Sequence, residues 1–288
     1  MFKIVFQLFS RLPLRVLHVL GVLLGHLTYA LSSPYAARIK ENLQQAGFSP
    51  DDEQGKRILR GAIAEAGKGI AELPWIWGRP YHVVLGAASL CIGIEHVKSA
   101  QASHRGIIFL TPHLGCFEIT GLYMAQHLPI TILYRPPRLR WLEEVMCAGR
   151  ARGHAKLAKA DMSGVRLLYK ALKRGEAIGL LPDQVPSGGE GEWADFFGRP
   201  AYTMTLVGRL AESSGAAVLL ASAERQPNGR GYILRFEPLN LDFSRSVPGQ
   251  INSALERVIR TFPEQYLWSY NRYKVVRGVL PPDSGGEK

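Results

Sequence analysis

The stretch RGIIFLTPHLGCFEITG, residues 105–121, runs from an apolar segment through Pro112 and His113 to a carboxylate at Glu118. An imidazole titrates near neutrality, and a neighbouring carboxylate can orient it and stabilise its cation. Glu118 would accept a hydrogen bond from one ring nitrogen while the other takes a proton from a hydroxyl, which is general-base chemistry. No serine lies between the two, so that hydroxyl would belong to a substrate. A histidine capping the core beside a helix-start glutamate is the competing structural reading, and spacing alone leaves both open. Cys116 offers a Cys–His pair, but nothing near it supplies a third group, and a small buried cysteine is the better default.

A second constellation follows in GLLPDQVPSGGEGEWADFFGRPAYTMT, residues 179–205. Pro182 ends an apolar run, and Asp183 and Gln184 then occupy the place that His113 holds after its own run. Arg199 would precede a helix start, whose free backbone N–H groups repel a cation unless an anion lies between them. That favours a phosphate or carboxylate ligand; the alternative is a simple pairing of Arg199 with Asp195 or Glu192.

The elements that must position these groups alternate. Apolar runs at 106–110, 130–134, 177–181 and 216–222 are bounded by Gly, Pro or charge and read as strands, with helix-period segments between them. The pattern predicts an α/β fold with a mainly parallel central sheet flanked by helices. In such sheets ligands bind beyond the carboxyl ends of the strands, which is where His113 falls, and Glu118 then enters the first turn of the next helix, where the macrodipole favours an ionised carboxylate. Ser163 is expected to cap the helix over 163–174 and Thr203 the one ending at Gly215. A hairpin-like strand, GYILRFEPL, and a final helix from Gln250 to about Tyr273 would close the domain.

Residues 1–34 form a separate unit. Val16–Leu31 is almost wholly apolar, and sixteen residues of helix reach about 24 Å, short of a ~30 Å hydrocarbon core. A cleaved signal peptide, a membrane span, an interfacial amphipathic helix and a buried helix all fit parts of this segment, and the retained anchor is the reading adopted here. The catalytic domain is placed at 35–276, and PPDSGGEK closes a disordered tail over 277–288. No internal repeat is present.

The chain of 288 residues carries 35 Lys and Arg against 24 Asp and Glu, a net +11 that favours anionic partners. Between 135 and 174 eleven basic side chains face three acidic ones, a net +8, with Arg166, Lys170 and Lys173 on one helix face. The bland reading is a solvated face. Aromatic residues do not interleave with this cluster as single-strand stacking would need, which argues against nucleic acid. The three cysteines are far apart, so neither a disulfide framework nor a zinc site is indicated.

The blocks TPHLGCFE, YRPPR, GVRLLYKALKRGEAIGLLPDQVP, FFGRPAYTMTLVGRLAESSGAAV and PEQYLWSYNRYK together resemble the late acyltransferases of lipid A biosynthesis, from the N-terminal apolar segment to about Lys274. The resemblance implies a glycerolipid acyltransferase-like fold in a bacterial inner-membrane enzyme whose active site faces the cytoplasm. It implies transfer of a fatty acyl chain from acyl carrier protein to a hydroxyl of a Kdo-bearing lipid A precursor, without metal or nucleotide cofactor. The family's His-x4-acid motif maps onto His113 and Glu118 as catalytic residues. The family commonly has Asn before the histidine and Asn-Trp before the acid; here Pro112 and Cys116-Phe117 stand instead. Arg135, Arg138 and Arg199 are assigned to acceptor phosphate or carboxylate groups, and Asp183 to shaping the site. A different lipid acceptor, such as a lysophospholipid or ornithine lipid, is the alternative with the same chemistry.

Overall fold

The computed structural model describes residues 2–280. It opens with helices α1 (Phe2–Ser10), α2 (Leu14–Leu31), α3 (Ser33–Gln45), α4 (Glu53–Ala71), α5 (Leu73–Gly78) and α6 (Tyr81–Gly86). Strands then alternate with helices through β1 (Ala88–Ile92), α7 (Ile94–Ala102), β2 (Ile107–Leu110), α8 (Phe117–His127), β3 (Ile130–Tyr134), α9 (Arg140–Arg150), β4 (Ala155–Lys159), α10 (Met162–Lys173) and β5 (Ala177–Leu180). A hairpin of β6 (Gly191–Phe196) and β7 (Arg199–Met204), helix α11 (Leu206–Ser214), strands β8 (Ala217–Arg225) and β9 (Tyr232–Pro238), and helix α12 (Val247–Thr261) complete it.

Seven strands form one sheet in the order β1-β9-β8-β2-β5-β3-β4, parallel except where β9 returns beside β8. All four residues of β2 and of β5 are buried, as expected for central parallel strands covered by helices on both faces. Their side chains alternate between two core layers. Ile108 and Leu110 join Leu168, Leu172, Leu210 and Leu255 on one face, while Ile107 and Phe109 join Ile119, Leu122 and Phe236 on the other.

Helix α2 is long and apolar enough by length and composition to cross a membrane. Its buried residues, Leu14, Leu17, His18, Gly21 and Gly25, follow helical spacing along one face. That face is seated on α4 at backbone contact, since a Cβ on Gly25 would lie 2.2 Å from the Ile63 carbonyl oxygen and one on Gly67 would lie 1.9 Å from that of Gly21. The opposite face, with Val19, Leu23, Leu27 and Leu31, is exposed, as are Ile4, Val5 and Leu8 of α1.

Several expected boundaries move for identifiable reasons. Helix α12 ends at Thr261 rather than Tyr273 because Phe262, before Pro263, leaves helical dihedrals with φ −130° and ψ 58°. Asp161, not Ser163, caps α10 by accepting from the Ser163 and Gly164 amides. Thr203 belongs to β7, where its hydroxyl donates to the Ala201 carbonyl, and α11 starts later at Leu206. The segment PPDSGGEK, residues 281–288, lies outside the described residues.

Candidate active site

Strands β2 and β5 lie side by side in parallel register, with Leu110 opposite Leu180. His113 and Asp183 each come three residues later, so equal offsets from a paired position bring them together across the carboxyl ends of the two central strands. The Asp183 carboxylate accepts the His113 backbone N–H through Oδ2 at 2.8 Å and pairs with the ring Nδ1 through Oδ1 at 2.7 Å. Two contacts from one carboxylate fix both the turn and the ring. The Asp183 side chain is buried at 2% exposure; burial pushes its pKa up, but the imidazole and the hydrogen bonds from His113 outweigh that and hold it below the ordinary value. An ionised partner at Nδ1 keeps the proton there, leaving Nε2 as the basic nitrogen. The Gln184 amide donates to Nε2 at 3.2 Å.

The turn after His113 is clamped on all sides. The Leu267 amide donates to the His113 carbonyl, the Gly115 amide to the Gln265 carbonyl at 2.9 Å, and the Cys116 amide to the Ala223 carbonyl at 3.0 Å. Gly115 has φ +57°, and a Cβ there would lie 1.9 Å from the Ala223 oxygen, so both conformation and space require glycine. Cys116 is buried, and burial together with the Glu72 charge pushes its thiol pKa well up, which suits packing rather than nucleophilic attack.

Glu118 is placed differently from expectation: the carboxylate that orients His113 is Asp183. Helix α8 begins at Phe117, whose ring lies 4.8 Å from the His113 ring between centroids. One residue on, a rotation of about 100° turns Glu118 away toward α5 and α9. There it accepts from Trp77 Nε1 at 3.0 Å, from Arg150 Nε at 2.8 Å and from a second Arg150 nitrogen, a two-pronged pair. Burial pushes the Arg150 pKa down, but Glu118 more than offsets this and holds it above its ordinary value. Arg150 was noted in the sequence only as part of the basic run. Nothing in its spacing sets it apart from the other basic residues of that run, and recognising it requires knowing that α9 packs on α5.

Two cavities flank His113. One, of about 240 Å³, is lined by Phe117, Tyr134, Arg135, Arg150 and Gln184. The other, of about 250 Å³, lies toward α4 and is lined by apolar groups such as Ile70, Leu73, Trp77 and Leu267 together with the polar Glu65, Glu72, Glu118, Arg150 and Gln265. Arg135 thus reaches the site. Arg138 is exposed on the loop before α9. Arg199 lines neither cavity; it opens β7 opposite Phe196, and its guanidinium sits 4.6 Å from the Tyr273 ring centroid. No helix begins beside it, so the anion-binding argument for Arg199 is overturned. Neither expected pairing is its contact here, and Glu192 accepts instead from the Ser246 hydroxyl.

Known proteins are similar to this chain in sequence over nearly its whole length. The sequence model of the family described as bacterial lipid A biosynthesis acyltransferase matches residues 1–275. Lipid A biosynthesis lauroyltransferase of Escherichia coli strain K12 is 28% identical over 279 residues, covering 94% of this chain and 89% of the relative. Lipid A biosynthesis palmitoleoyltransferase of the same organism is 27% identical over 278 residues, again 94% and 89%. Lipid A biosynthesis acyltransferase of Haemophilus influenzae is 25% identical over 255 residues, 86% of this chain and 77% of the relative. With a family match running from the first helix past α12, the chain belongs to the bacterial lipid A biosynthesis acyltransferases.

Proposed function

We propose that the protein transfers a fatty acyl chain from the thioester of acyl carrier protein to a hydroxyl of a Kdo-bearing lipid A precursor, with His113 as general base. The observation that carries this reading is the His113–Asp183 pair, which leaves Nε2 basic between two cavities. Nε2 takes the proton of the acceptor hydroxyl as its oxygen attacks the thioester carbonyl. The tetrahedral intermediate collapses by breaking the C–S bond, and the departing pantetheine sulfur receives the proton from Nε2. The products are an ester and a free thiol, so the step balances without a further reactant.

Glu118 acts in this scheme through Arg150, holding a guanidinium at the edge of both cavities, where it can stabilise the oxyanion. In the cavity toward α4, the side of Ile70, Leu73, Trp77 and Leu267 suits an acyl chain. Arg135 in the other cavity suits an acceptor phosphate, and Arg138 nearby on the surface adds charge for an anionic lipid or for the acidic carrier protein. The exposed apolar faces of α1 and α2 would lie in the inner membrane, with the site on the cytoplasmic side. Because α2 is seated along α4, which carries Lys56, Arg57, Arg60 and Lys68, an interfacial placement fits better than a crossing.

The test is acyl transfer by the detergent-purified protein from lauroyl, myristoyl and palmitoyl carrier protein to a Kdo-bearing tetraacyl precursor. His113→Ala is expected to lose about 10²–10⁴-fold in turnover. Turnover near wild type in that variant rules out the base, and a folded wild type that leaves this precursor untouched points to another lipid acceptor.

A further inference from the structure

A buried polar chain with no part assigned in the transfer step joins the N-terminal helix to the catalytic turn. His18 of α2, 5% exposed, meets Glu72 Oε2 through Nε2 at 3.0 Å. Glu72, 1% exposed at the junction of α4 and α5, also accepts from Arg225 Nε at 3.0 Å, from Arg225 Nη2 at 2.5 Å and from the Tyr232 hydroxyl at 2.9 Å. Arg225, at the end of β8, also pairs with Glu65 and donates to the Gly115 carbonyl at 3.0 Å. Gly115 lies two residues beyond His113.

We propose that His18 is a positioning residue for catalysis, and that the seating of α2 sets the catalytic turn through the path His18–Glu72–Arg225–Gly115. Two features make the path stiff. Glu72 Oε2 is held by three donors from three different elements, α2, β8 and β9. Helix α2 itself touches α4 backbone to backbone at Gly21, Gly25 and Gly67, so its rise along α4 is fixed by hard contact rather than by soft side chains. His18 lines neither cavity beside His113, so its own role is separate from substrate contact, while Glu72, next in the path, lines the cavity toward α4. Ionisation of Glu72 matches this: burial pushes its pKa up, but Arg225 and His18 more than offset that and hold it at about 2. The N-terminal helix is accordingly a strut of the active site as well as an apolar surface.

The inference rests on His113 as the base, and its test includes a readout that does not need turnover. Full-length wild type, His18→Leu, His18→Asn and His18→Gln are compared in detergent by transfer kinetics and by amide hydrogen exchange. Asn is too short to reach Glu72, whereas Gln can donate to it. In His18→Leu and His18→Asn, exchange at Gly115 and Cys116 should rise while β2 and β5 keep their protection, and kcat should fall about 10- to 100-fold with KM for both substrates little changed. His18→Gln should restore both. If His18→Leu does not fold, the Asn variant supplies the same comparison. Unchanged exchange at Gly115 and Cys116 in the Asn variant overturns the proposal, as does a kcat equal to wild type. Absence of transfer by the wild type counts against the reaction assigned above, and the exchange comparison still decides the role of His18.

Discussion

His113 and Glu118 were found in the sequence because they are neighbours there; Asp183 became the partner because strand register made it one. A reading along the chain sees acids within one turn or loop of a histidine. It does not see that Leu110 and Leu180 are paired, which brings together residues 70 positions apart. Asp183→Asn should therefore lower kcat by a factor comparable to His113→Ala, about 10²–10⁴, and the double variant should be no worse than either single one, since the two act as a unit. Single-turnover kinetics with one carrier-protein donor checks this. Glu118 and Arg150 call for a different experiment. Glu118 is buried and Arg150 largely so, and removing one partner leaves the other charge unpaired: Glu118→Leu or Arg150→Met alone should cost about 3–5 kcal/mol in stability, while Glu118→Leu with Arg150→Met should cost less than the two singles combined. Denaturant midpoints give the cycle, and Trp77 emission should shift in each variant that removes its Glu118 acceptor.

At the scale of elements, the strands legible in advance were those buried on both sides. β2, β3, β5 and β8 are apolar runs bounded by Gly, Pro or charge, while the half-buried β9 was legible only as a hairpin-like strand. β1 and β4 are edge strands, half exposed, and the two lysines of AKLAK leave no apolar run to mark a strand. The β6–β7 hairpin escaped for another reason: its turn at Phe197 and Gly198, both at positive φ, looked like the continuation of a glycine-rich loop. That error carried Arg199 to a false helix start. The turn at Gly115 is the element on which the site depends most directly. Gly115→Ala places a methyl against the Ala223 oxygen at a positive φ, and should lower both transfer rate and melting temperature, with the rate falling further than the loss of folded protein accounts for. Circular dichroism beside the transfer assay separates the two.

Across the whole molecule the buried carboxylates set the response to acid. Glu72 has its pKa lowered to about 2, and Asp183 is also held below its ordinary value. A carboxyl with a lowered folded pKa binds its proton less readily folded than unfolded, so its contribution is complete above about pH 4.5 and is lost as pH falls toward about 2. Urea midpoints measured from about pH 5 down to about pH 2.5 should drop steeply in the wild type and less steeply in Glu72→Gln, whose starting stability is lower. The order of the strands has one more consequence, for synthesis. β2 pairs with β5 and β8, so an apolar strand completed at residue 110 waits for residues 177–180 and then 217–220 before both its edges are covered. At about 5–20 residues per second on the ribosome that wait is on the order of 5–20 s, far longer than hydrophobic collapse takes. The nascent chain therefore carries an uncovered, aggregation-prone core for seconds, and its yield in a cell is governed by what shields that strand during translation as much as by the stability of the finished fold.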